Sequence, residues 1–470
     1  MIKSTLTYAG SYILMRSVSF LTLPYVARVL GPVEFGRLDL LVTATMAVGL
    51  LAGFGIVEAV LRYASTEGQA SGDGPVSARA AKANGLGLTL LCGLFFLLLL
   101  LALAPWLARV LPGDQESGLL SLAMLAGVAS AWIALPNMVL RMQDRAAAYA
   151  RFMIIYALLQ AAGNVIAVYL GYGIFGIMVV SAGATCVMAA AAVIQQIRDS
   201  GIALDPRVAR HLLIFGLPIL GSGVAAFTMN GLERWVLAAH LNPESYGHYA
   251  AAVKLFMLSV IAFQPFTLWW GAQRYRLLAG PDGERRLVHY AVIGILLQFL
   301  LCTGISLLNP VLLPVLFGAA FEVPAWWASA LLFILLLRSV ADLMSIGLFL
   351  GHTSHQQMAI QYAAAAVTTL GVFTLIPWLG FPGLVLALTA GALLRLVLFY
   401  TVSQRNRPLH YPVPAIAMLF AGYLAASIGF ATGLHGAGPQ VLIPATGVVL
   451  ALMVGLAWLT GRGALAGRAA

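Results

Sequence analysis

Charge is scarce in this sequence. Only 9% of its 470 residues are Asp, Glu, Lys or Arg, against 61% that are hydrophobic. An ordinary soluble domain carries about 25% charged residues, so a water-facing surface of normal extent is excluded. Polar stretches are equally short. The longest gap between apolar runs, about 63–83, is Gly- and Ser-rich over Thr66–Ser77, the composition of a linker and not of a folded domain. Cysteine is rare. Cys92, Cys186 and Cys302 all lie inside apolar segments, which gives no metal spacing and implies no disulfide. His352 and His355 stand three residues apart with no Cys or acid beside them, a poor metal pair. No phosphate-binding glycine loop is present, so an ATPase domain is not expected and the chain needs no cofactor beyond a coupling ion, Na+ or H+, whose identity stays open.

Long apolar runs fill the rest. Fourteen segments of about 20 residues follow one another at 6–29, 39–62, 84–104, 118–140, 150–170, 174–197, 211–239, 246–271, 287–308, 325–350, 356–378, 382–403, 413–432 and 439–460. A helix of about 20 residues crosses a hydrocarbon core near 30 Å thick. Helices satisfy their own backbone in lipid, whereas barrel strands would be shorter and would alternate. The expected fold class is all-α, a polytopic membrane protein. The first run is too long for a signal h-region and lacks a convincing cleavage site, so it reads as the first span. Seven of the nine tryptophans (Trp106, Trp269, Trp270, Trp326, Trp327, Trp378 and Trp458) fall near span ends, as an aromatic belt does.

Loop charges orient the chain. Of 26 Lys and Arg, 18 lie on the side that carries both termini, including Lys3, Arg79, Arg145, Arg207, Arg285 and Arg405, and three (Arg28, Arg37 and Arg109) on the other. Positive loops stay inside, so both ends are expected in the cytoplasm. The formal charge of +10 is mostly this topology signal, contacting anionic lipid, and nucleic acid is not an expected partner.

The chain also repeats itself. Leu30-Gly31-Pro32-Val33-Glu34-Phe35-Gly36 after the first span and Leu241-Asn242-Pro243-Glu244-Ser245-Tyr246-Gly247 after the seventh share L-x-P-x-x-[FY]-G at an offset of 211 residues. Leu170-Gly171-Tyr172 and Leu379-Gly380-Phe381 form a second echo. Six spans are an even number, so the repeats are parallel, related by an axis along the membrane normal. The expected organisation is a lobe over 1–199, a cytoplasmic bridge over 200–210, a second lobe over 211–404 and a terminal helix pair over 413–460. Two such lobes suggest a transporter with its site between them.

The segment Ser11–Arg37 resembles the opening of bacterial polysaccharide-biosynthesis flippases, within the multidrug/oligosaccharidyl-lipid/polysaccharide exporter superfamily. Phe215–Ala252 is similar to their seventh and eighth spans, with Glu233-Arg234 where relatives usually carry Asp-Arg. The resemblance implies export of undecaprenyl-diphosphate-linked oligosaccharides for O-antigen, capsule or exopolysaccharide, with a polymerase and chain-length proteins as pathway partners. A lipid II flippase and a cation-coupled multidrug antiporter are the alternatives within the superfamily. The antiporter branch typically has 12 spans and acidic drug sites. A membrane polymerase or glycosyltransferase is the alternative of another class. It would need a large external loop, and the longest here, about 105–117, holds only Asp114 and Glu116.

Nine charges interrupt the spans: Arg16, Arg234, Lys254, Arg338, Arg395, Asp39, Glu58, Glu233 and Asp342. Each costs about 2.5–3.5 kcal/mol at a helix centre, so each should face water or a partner. Arg16 lies nearest mid-depth with no acid one turn away, which makes it the first candidate for an anion ligand. Arg234, Lys254 and Arg338 complete the candidate diphosphate set, because guanidinium forks match phosphate oxygens. Glu58, Glu233 and Asp342 are the candidate coupling or structural acids. Arg338 and Asp342 are spaced to pair on one helix face. Asp39 reads as interfacial and Arg395 as snorkelling. Gln160, Gln298 and Gln361 are among the polar residues available to sugar hydroxyls. Two negative charges leaving an inside-negative cell gain about 4–5 kcal/mol per 100 mV, so the potential itself favours export.

In a cysteine-free background, cysteines placed at Gly113 and Pro243 are expected to react with an impermeant thiol reagent in whole cells, and one at Gly72 is not. Labelling at Gly72 in intact cells reverses the orientation.

Overall fold

The computed structural model describes residues 2–65, 77–113, 115–279, 282–347, 355–433 and 439–466. Gly72 and His352 lie outside the described residues, as do the side chains of Arg16, His355 and Trp458. Every regular element among the described residues is helical. The first unit contains α1 (Ile2–Gly53), α2 (Ile56–Ser65), α3 (Ala78–Val110), α4 (Ser117–Met142), α5 (Ala146–Tyr169), α6 (Gly173–Ser200), α7 (Pro206–Thr228) and α8 (Leu232–Ala238). α9 (Pro243–Ala279) leads into the second, which contains α10 (Gly283–Phe317), α11 (Ala325–Met344), α12 (His355–Leu379), α13 (Phe381–Asn406), α14 (Val413–Gly433) and α15 (Pro439–Ala466).

Twelve helices among the described residues are long and apolar enough to cross a membrane, and Gln440–Gly455 is a shorter apolar one. The chain is a multi-pass membrane protein. The first expected span and most of the second lie in α1, which is two helices joined across a kink at Gly31. With α1 taken as two helices and the shorter apolar helix included, each of the fourteen expected segments has a helical counterpart.

Local chemistry sets the helix ends. Ser77 caps α3 by accepting from the Ala80 amide at 3.3 Å. Asp205 caps α7 by accepting from the Arg207 amide at 2.8 Å, with Pro206 at the first helical position. Pro24, Pro136, Pro218 and Pro265 sit inside helices, and the breaks lie elsewhere. One is Gly31, whose φ of 71° needs no Cβ accommodation. Another is Phe54–Gly55, with φ of 49° and 66°, which divides the expected second span. A third separates α7 from α8 at 229–231.

The chain divides into two compact units, Met1–Tyr246 and Gly247–Ala470. In the first, Val26, Leu41, Val48, Leu120, Met124 and Ile177 form a core shared by α1, α4 and α6. A second core joins Ile56 and Val60 of α2, Leu86 of α3, Leu135 of α4 and Leu212 of α7. The contact boundary therefore falls later in the chain than the expected bridge at 200–210. The bridge itself packs on the first unit: the Ala203 amide donates to the Ala83 carbonyl at 3.1 Å, and the Asp205 amide to Asn84 Oδ1 at 2.5 Å. Backbones touch where the break at Gly55 meets α7, and a Cβ on Gly216 would stand 2.8 Å from the Phe54 carbonyl.

In the second unit α14 docks on α10 and α11 through polar and aromatic contacts. Tyr423 donates its hydroxyl to the Ser329 carbonyl at 2.7 Å, and Ser427 lies 3.3 Å from Ser306. Phe420 meets Phe299 edge-on at 4.8 Å between centroids. Leu307, Phe430 and Leu442 join α10, α14 and α15. The terminal helix pair is thus part of the second unit's core and not an appendage.

Gly216→Ala is expected to lower the thermal unfolding midpoint of the purified protein, by an overpacking cost of about 1–3 kcal/mol. Gly183→Ala, with nothing within 4 Å of its new Cβ, should leave the midpoint unchanged or raise it. Equal midpoints for the two variants refute the close approach.

Candidate functional site

One residue of the two copies of L-x-P-x-x-[FY]-G, Tyr246, enters a buried polar site of the first unit. In the first copy Gly31 turns the backbone and Pro32 restarts the helix, so Phe35 is buried and the chain is well inside α1 by residue 39. In the second copy Asn242 Oδ1 accepts from the Ser245 amide at 2.7 Å, which starts α9 and buries Tyr246. The aromatic residue is therefore a core residue in both copies. The second of them also carries a hydroxyl, which donates to Asp39 Oδ2 at 3.2 Å.

Asp39 is the centre of this site. Nη1 of Arg234, on α8, reaches its two carboxylate oxygens at 3.1 and 3.0 Å, and stands 3.5 Å from Thr43 Oγ1. The Arg234 side chain is 6% exposed and that of Asp39 1%. Asp39 was expected at the interface. It is buried in the protein, because α1 beyond the Gly31 kink carries residue 39 among packed side chains. Arg234, a candidate substrate ligand, is first of all the counter-ion of Asp39. A buried pair of this kind gains little over apolar packing, but it punishes removal of one partner severely. It locks α1 to α8 and α9 in one register.

The other sequence candidates are distributed as follows. Arg16 lies in α1 with its side chain outside the described residues. Glu233, next to Arg234 in the first turn of α8, is buried. Glu58 is exposed in the first turn of α2, and Arg62, one turn on, lays its guanidinium over the Phe215 ring at 4.5 Å. Lys254 on α9 and Arg338 on α11 are half-buried. Arg16 and Arg234 belong to the first unit, and Lys254 and Arg338 to the second.

The second unit has its own ion pair. Arg395 Nη2 donates to Asp342 Oδ1, Nε to Gln361 Oε1 at 3.0 Å, and Nη1 approaches the Arg338 carbonyl at 3.5 Å. Its guanidinium carbon lies 4.6 Å above the Phe399 ring. Arg395 was expected to snorkel. It is instead buried among α11, α12 and α13, because a partner on each neighbouring helix holds it there. Asp342 takes this arginine from across the fold. The sequence signal for both pairs was only a charge inside an apolar run, since helical periodicity identifies neighbours three or four residues apart and no others.

The candidate sugar-facing amides also bond within the bundle. Gln160 donates to Tyr156 Oη at 3.2 Å and to Thr185 Oγ1 at 3.3 Å, and Gln298 to Ser259 Oγ at 3.2 Å. Gln361 serves Arg395.

Arg234→Ala is expected to destabilise the protein by about 3–5 kcal/mol, because it strands a buried carboxylate. Adding Asp39→Ala should restore part of the loss, with a coupling of about 0.5–3 kcal/mol, measured by thermal unfolding in detergent. Strictly additive effects contradict the pair.

Comparison with solved structures gives the same architecture. "Lipid II flippase MurJ, inward closed conformation" superposes with a TM-score of 0.69 at 12% identity, over 94% of this chain and 98% of that one. An inward-facing multidrug resistance MATE family transporter gives 0.61 at 18% identity, over 86% and 95%. A transporter of the same superfamily from Pyrococcus furiosus, described as having a binding pocket of reversed polarity, gives 0.56 at 16%, over 89% and 96%. At these identities the likeness is one of fold, that of the multidrug/oligosaccharidyl-lipid/polysaccharide exporter transporters. A search of curated protein sequences returned no match. The model of the family described as "Polysaccharide biosynthesis protein" matches residues 1–268, more than half of the 470-residue chain, and the chain belongs to that family.

Proposed function

We propose that the protein is a flippase that moves undecaprenyl-diphosphate-linked oligosaccharide repeat units from the cytoplasmic to the periplasmic leaflet by alternating access. The family match carries this reading. It joins polysaccharide synthesis to a chain that is nearly all membrane-spanning helix, and moving a lipid-linked intermediate is the step of such a pathway that a transporter fold can perform. The reading assigns the chain no catalytic residue.

The substrate combines a dense anion, a polar glycan and a long apolar tail. The tail can remain in lipid. The anion needs cationic ligands inside the bilayer span, and Arg16, Lys254 and Arg338 are proposed for it. Arg234 joins them only if Asp39 gives it up. A fork that binds two oxygens suits phosphate better than a point charge does, and the interaction is less screened at a low-dielectric site than in water. The proposed driving force is the membrane potential acting on the diphosphate, or an ion gradient acting through Glu58, Glu233 or Asp342. The O-antigen, capsule and exopolysaccharide pathways share this chemistry, and lipid II shares its diphosphate and polyprenyl parts.

Deletion of the gene should abolish surface polysaccharide and leave lipid-linked repeat units on the cytoplasmic leaflet. Accumulation of a peptidoglycan precursor instead would assign lipid II. Arg16→Ala should fail to complement the deletion at normal membrane levels, and Arg16→Lys should restore export in part. Normal export by Arg16→Gln eliminates Arg16 as the headgroup ligand.

A further inference from the structure

Asp39–Arg234 in the first unit and Asp342–Arg395 in the second are ion pairs of the same composition, and they differ in burial. In Asp39–Arg234 both side chains are buried, at 1% and 6%. In Asp342–Arg395 the arginine is 11% exposed and the aspartate 61%. The second pair has an accessible carboxylate in front of an enclosed guanidinium. An acid that open on a membrane-spanning helix meets water and not acyl chains, because a charge facing lipid is costly.

The guanidinium is held in place independently of its acid. Gln361 fixes Nε at 3.0 Å, the Arg338 carbonyl lies 3.5 Å from Nη1, and the Phe399 ring supports the flat face at 4.6 Å. Removing the carboxylate therefore leaves an oriented fork. The two partners have unequal needs. Asp342 can leave for water at little cost, because most of its surface is already solvated. Arg395, enclosed and charged, requires another anion in its place. Arg338 precedes Asp342 by four residues on α11, so both project from the same face. An anion entering where Asp342 now sits meets Arg395 and comes within reach of a second guanidinium.

We propose that this is an anion-exchange subsite in the second unit. Asp342 is a resident carboxylate that holds Arg395 between transport cycles, and a phosphate group of the diphosphate headgroup displaces it. The inference rests on the flippase reading and adds Arg395 to the candidate ligands. The donors suit phosphate for a geometric reason. A planar fork binds two oxygens of one phosphate as it binds a carboxylate, and a diphosphate offers a second set of oxygens to a neighbouring cation. The position also fits. Asp342 lies in the last turn of α11, and Gln361 in the second turn of α12. In the expected orientation those ends face the cytoplasm, where the proposed export begins. Release then needs no new group, because Asp342 is tethered beside the site and competes for Arg395 as the headgroup leaves.

Binding of farnesyl diphosphate and of inorganic pyrophosphate to the full-length protein in lipid nanodiscs tests this. Asp342→Asn should bind farnesyl diphosphate about tenfold more tightly, a change of about 1.4 kcal/mol. Asp342→Asn should also export more slowly, because the competing carboxylate is gone. Arg395→Lys should weaken binding in the Asp342→Asn background, and Asp342→Glu should behave as the parent. Unchanged affinity in Asp342→Asn, with a lowered unfolding midpoint, makes the pair purely structural and overturns the proposal. Equal tightening for pyrophosphate and farnesyl diphosphate would assign the site to a free anion and overturn the headgroup assignment. Either failure leaves the flippase reading standing, because that reading is tested by accumulated lipid-linked repeat units in the deletion strain.

Discussion

A polar group between the ends of a membrane-spanning helix has to find its partner inside the protein or in water that the protein admits, because the hydrocarbon supplies none. With 9% charged residues, this chain has few such groups, and the geometry around each is correspondingly specific. Asp39 binds Arg234 and Tyr246, Arg395 binds Asp342 and Gln361, and Gln298 binds Ser259. Each pairing joins helices that apolar packing alone would hold in several registers. Leucine and alanine faces slide, whereas a buried guanidinium in the wrong register leaves charge without an acceptor. The polar minority therefore defines the arrangement that the apolar majority stabilises.

This division explains how much was legible beforehand. Apolar runs of about 20 residues identify helices with little ambiguity, and all fourteen expected segments have a counterpart. The L-x-P-x-x-[FY]-G copies marked real turns, and their aromatic residues, Phe35 and Tyr246, are buried core positions. Breaks at Phe54–Gly55 and at 229–231 were not legible, because the flanking composition stays apolar. The prolines proved compatible with continuous helix. The break at Phe54–Gly55 exists because backbone meets backbone at Gly216, a contact 161 residues away in sequence (216 − 55 = 161) that no local pattern encodes.

Site residues were legible as a set and not as partners. All nine charges inside the expected spans were visible as anomalies, but the partners of Asp39 and Arg395 were not. Local spacing offers Arg338 to Asp342, and the fold also brings Arg395 to it from 53 residues away.

Comparison of the two ion pairs separates structure from function on physical grounds. Mutual burial makes Asp39–Arg234 costly to open, since both charges would be left in a low-dielectric interior and neither has water to receive it. Such a pair is suited to holding one conformation. In Asp342–Arg395 the cost of opening falls almost entirely on the arginine, and an incoming anion can cancel it. On the proposal of an anion-exchange subsite, the same two residue types give a fastener in one unit and an exchangeable contact in the other. The deciding variable is the solvent exposure of the carboxylate, 1% against 61%, and not the identity of the residues or the length of the bond. A transporter of anionic lipids needs both kinds, because a carrier whose cations were all locked could not bind its cargo, and one whose cations were all open would strand them in the membrane whenever the cargo was absent.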